Sequence, residues 1–359
     1  MANWPQRRRH PVQSTGLGQR RQTLQVVQLS QDITVRSGTW EAQYTALPMN
    51  ETTPEPLLGD IHAAPPTHDP VACRRWWLNP CGQMSPAWLH DEVARRMQER
   101  LAWIKLQPRD WLHVNPSLGG WAVHEAIVQR YPKARAHLCE PSASRLELAR
   151  TGMQGSVWHR LNPWRQKPHW HAAGRWPEAV DMVWANMQLH LHHQPPELLR
   201  WWHQMLRVDG FVMFSCLGPD SLNELRQLYD HMGWPAAGAE WTDMHDWGDM
   251  LVQAGFAEPV MDMERITLSY RHAEAMLTDL RALGRNVHPR RFPVCRGKGW
   301  RASLEQAIQN HWPRRSQDGQ LLLTFEIVYG HAMRAPDRHR VDTTTRIPLG
   351  EMKKMLRPG

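Results

Sequence analysis

Between Ser85 and Ala332 the apolar positions switch repeatedly between two periods. "SPAWLHDEVARRMQERLAWIKL" carries Val93, Met97, Leu101 and Ile104 at helical spacing, with Ser85-Pro86 as cap and first turn. "WLHV" then reads as a strand, and "GGWAVHEAIVQRY" as a helix that stops before Pro132. "ARAHLCE" is a strand, "SASRLELAR" a helix and "GSVWH" a short strand. "AVDMVWAN" is continuously apolar, as strands buried on both faces are. "PPELLRWWHQMLRVDG" reads as a helix with Pro near its start and Gly210 just past its end. The strand "FVMFSCL", the helices "DSLNELRQLYDHM" and "DMHDWGDMLVQAG", and the strands "FAEPVMDMERITLSY" and "LLLTFEIVYGHAM" follow. Strands alternating with helices predict an α/β fold: a mostly parallel sheet with helices on both faces.

The two ends read differently. "TTPEPLLGDIHAAPPTHDP" has prolines and no sustained period, so residues 1–84 are expected to be a disordered N-terminal extension. Residues 334–359 are expected to be a disordered tail. Charge sharpens this division. The net charge of the 359 residues is +8, but Arg7, Arg8, Arg9, Arg20 and Arg21 all precede the first acid, Asp32. "MANWPQRRRH" has no apolar stretch of the secretory kind; its arginine-rich, acid-free start can imitate a mitochondrial transit peptide. The basic residues are scattered and no base-stacking module is recognisable, so no nucleic-acid partner is expected. No run of 18 apolar residues occurs, so no membrane span is expected. The five cysteines form no CxxC pair, and no metal site is expected from them; Cys139 and Cys216 fall in apolar strand patterns that favour burial. The expectation is a cytoplasmic monomer.

In such sheets ligands bind beyond the carboxyl ends of the strands, at the switch point. That rule selects "DWLHVNPSLGGW", the loop after the first strand; Glu140 and Asn186 end the second and fourth strands. "TDMHDWGD" gathers Asp243, His245, Asp246 and Asp249; a capped helix with acids in its first turn explains the spacing better than metal ligation. "LHLHH" (His190, His192, His193) lacks carboxylates on one face and suits a loop at the mouth of a site.

The alternation is similar to that of Rossmann-like class I S-adenosylmethionine-dependent methyltransferases, which have a seven-stranded sheet. "DMVWANMQLHL", "VDGFVMFSCLGPDSLNELR", "TDMHDWGDMLVQAGFAEPVMDMERITLSY" and "LLLTFEIVYGHA" resemble the malonyl-acyl-carrier-protein O-methyltransferases of biotin synthesis. The resemblance covers residues 85–333, with a lid insertion at about 264–320. It implies S-adenosyl-L-methionine as cofactor and a malonyl-bearing acyl-carrier protein as partner. On the family's acid-and-glycine loop, His113 stands at the acid, Asn115 and Ser117 at the first two glycines and Gly119 at the last. The resemblance gives Glu140 the ribose hydroxyls, Asn162 the only polar group near the adenine amine, and Asn186 a place beside the reacting centre. Asn tolerates positive φ and Ser is small, while Pro116 fixes one φ and removes an N–H. His245, Arg285 and His288 are candidates to position the acceptor carboxylate, which needs a cation or donor but no general base. Arg290, Arg291, Arg296, Lys298 and Arg301 are candidates for docking an acidic carrier protein. Two alternatives stand beside the enzyme: a relative that keeps the fold as a binding protein after losing the cofactor, and a hydroxylase related to mitochondrial complex I assembly factors. The enzymatic reading requires that the Asn-Pro-Ser turn fold beneath the cofactor.

Overall fold

A computed structural model describes residues 68–78, 87–154, 168–172 and 179–336. Its elements in chain order are α1 (Pro70–Leu78), α2 (Trp88–Arg100), β1 (Asp110–Val114), the single turn α3 (Pro116–Gly119), α4 (Trp121–Arg130), β2 (Arg135–Glu140), α5 (Ala143–Gln154), β3 (His169–Ala172) and β4 (Val180–Ala185). There follow α6 (Pro195–Met205), β5 (Leu206–Leu217), α7 (Asn223–His231), α8 (Met244–Gln253), β6 (Phe256–Tyr270), α9 (Ala273–Leu283), α10 (Lys298–His311) and β7 (Leu321–Arg334). The seven strands form one sheet in the order β3-β2-β1-β4-β5-β7-β6. β1 to β5 are parallel, and β7 lies antiparallel between β5 and β6. The order reverses between β1 and β4, which puts a ligand crevice at their carboxyl ends.

Strand periodicity builds two cores. On β4, Met182 and Trp184 face one side with Met97, Ile127 and Phe325. Val183 and Ala185 face the other with Leu199, Trp202 and Trp247. This two-residue alternation on a strand buried on both faces explains the apolar run Met182–Ala185 in "AVDMVWAN". Each fully buried large side chain contributes about 2 kcal/mol relative to exposure. Gly330 on β7 faces Phe214 on β5, and a Cβ there would lie 2.2 Å from the ring. Only glycine lets the antiparallel strand close over that aromatic.

Three local departures from the sequence reading have physical causes. The helix expected to run to Gly210 ends at Met205, because Leu206 pairs with Val180 and starts β5. The strand then bulges: Asp209 takes φ +66°, and a Cβ at Gly210 would lie 2.9 Å from the carbonyl oxygens of Arg207 and Asp181. "GSVWH" lies outside the described residues, and the described edge strand β3 falls later, at "HWHA". The proline-rich segment expected to be disordered contributes α1. Its Cys73 and Trp76, one turn apart, bury against Ala239 and Val287 and against Leu118 and Leu191 respectively. Asp69 ties it down through a 2.7 Å ion pair with Arg291 and an N–H bond to the Val287 carbonyl. The expected lid insertion holds α9 and α10 between β6 and β7. No helix among the described residues is long and apolar enough to cross a membrane.

Candidate functional site

The crevice is built from the turn after β1. Asn115 takes φ +48°, the left-handed conformation that asparagine tolerates best after glycine. Pro116 occupies the first helical position, where its missing N–H costs nothing. Leu118 and Gly119 donate to the Asn115 carbonyl and Gly120 to that of Pro116, closing one turn. Gly120 has φ +105°, and a Cβ there would meet Asp91 Oδ1 at 2.7 Å, so this second glycine is required.

Glu140, at the end of β2, is completely buried beneath this turn. Ser117 N–H donates to Oε1 at 2.8 Å and Ser117 Oγ–H to Oε2 at 2.9 Å. The Arg145 guanidinium, from α5, lies 3.5 Å from Oε2, donates to Ser117 Oγ at 2.7 Å and donates to the Trp77 carbonyl of α1. Burial pushes the Glu140 carboxyl up to about 7; Arg145 and the two Ser117 bonds pull the other way. A carboxylate accepts through both oxygens, so it is suited to a vicinal diol. The carboxylate is an acceptor pair of the kind a ribose diol requires, but both oxygens are engaged, so a diol would compete with Ser117 for them.

Asn186 is also buried and fully engaged. Its Nδ2 donates to the carbonyls of His90 (2.8 Å) and Gly119 (2.7 Å), and its Oδ1 accepts from Ser215 at 2.7 Å. It knits α2, α3, β4 and β5 together. Gln188 Nε2 donates to the Val114 carbonyl, while its Oε1 has no partner among the described residues. His90 Nδ1 holds the Leu118 carbonyl, and burial lowers this imidazole to about 4, so it is neutral. His113 points away from this cluster, stacked on Trp111 and His124 with ring centroids 5.9 and 5.6 Å away. Burial drives it well below the usual histidine range. Asn115, Ser117, Gly119, Glu140 and Asn186 are thus brought together; Asn162 lies outside the described residues.

The acceptor candidates lie elsewhere. His245 is exposed in the first turn of α8, where Asp243 caps the helix by accepting its backbone N–H at 2.8 Å. His288 accepts from Arg290 N–H through Nδ1 and has Nε2 3.7 Å from Glu240. Arg285 places its guanidinium 5.3 Å from the Trp76 ring centre and donates to the Gly284 carbonyl at 2.8 Å. Arg285 also lines a cavity of about 240 Å³ between α9 with the loop after it and residues of β5 and β7. Leu217, Leu225, Leu280 and Phe325 form its apolar wall, and His190 and Trp241 also line it. Of the docking candidates, Arg290 is exposed, while Arg291 is held by Asp69, Arg301 by Glu305 and Glu274, and Arg296 stacks on Trp300. Sequence reasoning missed Arg145 and Gln188, whose roles arise only when separate loops meet.

No established family profile matches the chain. It is 37% identical over 263 residues to the malonyl-[acyl-carrier protein] O-methyltransferase of Gallionella capsiferriformans, covering 72% of this chain and 88% of that protein. It is also 37% identical over 260 residues to the enzyme of that name from Laribacter hongkongensis, covering 70% and 84%. Among solved structures, a candidate methyltransferase from Bacillus halodurans superimposes with a TM-score of 0.46 at 14% identity, covering 68% of this chain and 100% of that one.

Proposed function

The chain belongs to the malonyl-[acyl-carrier protein] O-methyltransferase family, and from that premise we propose that it methylates the free carboxylate of a malonyl group carried on acyl-carrier protein, with S-adenosyl-L-methionine as donor. The observation that carries the reading is the extent of that kinship, 37% identity over 263 residues that cover 72% of this chain and 88% of the relative. When bound, the cofactor supplies an electrophilic methyl group. The acceptor carboxylate is already ionised at neutral pH, so no proton has to move and no general base is required. The chain's contribution is positioning. Glu140 is proposed to hold the ribose once Ser117 yields, Gly119 and Asn115 to shape the turn, and Asn186 to fix the β4 loop against it. His113 supports the turn from behind rather than touching the cofactor. The apolar cavity beside His190 is proposed to receive the acyl arm, with Arg285 toward its solvent side. Arg290, Arg296 and Lys298 are proposed to meet the acidic carrier.

One observation favours a second reading. Both oxygens of Glu140 are held by the chain itself, as they would be in a carrier-binding relative that no longer uses the cofactor. Transfer of a labelled methyl group to malonyl-carrier protein, with acetyl-carrier protein as control, decides between them. Label on the malonyl form alone is expected. Saturable binding of malonyl-carrier protein without transfer, and without heat on titration of S-adenosylmethionine, would select the second reading.

A further inference from the structure

The cavity under the lid is chemically lopsided. Its inner wall is apolar: Leu217 and Leu225 are buried and Phe325 is completely so. Its exposed cations, Arg281 and Arg285, can only stand toward solvent. Asn286, which also lines it, is satisfied: Nδ2 donates to the Ala236 carbonyl and Oδ1 accepts from His288 N–H. Two groups are not. His190 is 3% exposed and its Nδ1 has no partner among the described residues; Trp241 Nε1 is likewise buried and unpartnered. The two rings meet edge to face, 6.5 Å between centroids. A buried polar group without a partner costs about 1–3 kcal/mol and calls for an explanation.

The electrical character of the pair narrows what could satisfy it. Burial, with His90 and His68 nearby, keeps the His190 imidazole neutral. An indole N–H is a neutral donor only. A neutral imidazole donates from one ring nitrogen only; with that proton on Nδ1, the pair presents two neutral donors on an apolar wall, which suit uncharged carbonyl oxygens, whereas a carboxylate would demand a cation there. The cations lie at the solvent side, where a phosphate would sit. A phosphopantetheinyl thioester has this layout: anionic at one end, then methyl-bearing and methylene segments interrupted by carbonyls. We propose that His190 and Trp241 are positioning residues that donate hydrogen bonds to the thioester end of a carrier-borne pantetheinyl acyl arm. His190 sits four residues past Asn186, on the loop that follows β4. This rests on the proposed acceptor being a carrier-linked thioester.

The test is calorimetric binding to the full chain without methyl donor, comparing S-acetyl-pantetheine with S-ethyl-pantetheine, which lacks the thioester carbonyl. The wild type is expected to favour the thioester about tenfold, the size of one or two net hydrogen bonds. His190→Leu is expected to reduce that preference to about twofold or less and His190→Gln, a neutral donor, to restore most of it; each modest hydrogen bond changes affinity by this order. Trp241→Phe should weaken it in the same direction. Acetyl-carrier protein should lose affinity for His190→Leu by the same factor. The proposal is overturned if the wild type does not distinguish the two ligands, or if folded His190→Leu distinguishes them as well as the wild type. A chain that methylates malonyl-carrier protein while His190→Leu keeps its preference sinks this proposal alone. A chain that shows the preference and its loss, yet transfers no methyl, supports it and sinks the methyl-transfer reading.

Discussion

The network around Glu140 and the cavity lined by α9 differ in where their polar groups find partners. Within the Glu140–Ser117–Arg145–Asn186 set each strong polar group has a partner supplied by the chain, although beside it Asn115 Nδ2 and Gln188 Oε1 have none among the described residues. In the cavity His190 Nδ1 and Trp241 Nε1 have none among the described residues. A saturated polar network gives up a partner only at the cost of leaving another group bare, whereas an unsatisfied group has only something to gain. The Glu140 network is therefore the stability-bearing side, and the cavity the side where a ligand adds interactions instead of replacing them.

The sharpest way to break this contrast is Glu140→Ala. Removing the carboxylate leaves Ser117 N–H without its acceptor and takes from the buried Arg145 guanidinium its carboxylate partner, and breaking such a pair is expected to cost about 3–5 kcal/mol. Urea unfolding reads this directly. A loss under about 1 kcal/mol, the scale of an exposed ion pair, would show that the network is ornamental.

The next effect is a dependence on pH. The Glu140 carboxyl rises from its ordinary range to about 7 in the folded chain. The folded state thus holds a proton there that the unfolded state releases. That contribution to stability is complete below the unfolded value near 4.5 and is lost as pH rises through about 7, up to about 3 kcal/mol in all. Buried neutral histidines act with the opposite sign: His90, lowered to about 4, contributes stability above 6.5 that is lost as pH falls. Glu140→Gln removes the first slope and leaves the second. Unfolding free energies of the variant should rise more steeply between pH 5 and 7 than those of the wild type; identical slopes would show that Glu140 does not titrate there.

The same contrast governs what the sequence disclosed. The sheet was legible because burial on both faces leaves nearly continuous apolar runs, as in Met182–Ala185 and Phe211–Phe214, and the turn after β1 followed from the switch-point rule. Glu140 was legible as the acid at the end of β2 through its position and the family resemblance. What holds Glu140 was not: Ser117 and Arg145 lie 28 residues apart and meet only through the β1–β2 crossover. The family resemblance placed His113 at the loop's acid; in the folded chain its ring is buried against Trp111 and His124. α1 was hidden by flanking prolines, although Cys73 and Trp76 already marked a face.

Ser117→Ala tests the exchange at Glu140 with a smaller expected effect. The hydroxyl competes with the ribose for Oε2, so its removal is expected to tighten S-adenosylmethionine binding by about fivefold, near 1 kcal/mol. Calorimetric titration reads it. Weaker binding would mean that Ser117 is a ligand contact and not a competitor.

The smallest stability effect is expected on the other side. His190→Leu replaces an almost fully buried imidazole, whose Nδ1 has no partner among the described residues, with an apolar side chain of similar volume but different shape. The altered packing and the relieved polar group oppose each other, so unfolding free energy should change by less than about 1 kcal/mol in either direction. A deeply buried residue in the middle of a folded domain is normally costly to replace. Near-neutrality at His190, set beside a large loss at Glu140, would mean that the imidazole is kept for something other than folding. A loss as large as that at Glu140 would instead place His190 in the structural network and erase the distinction between the two sides.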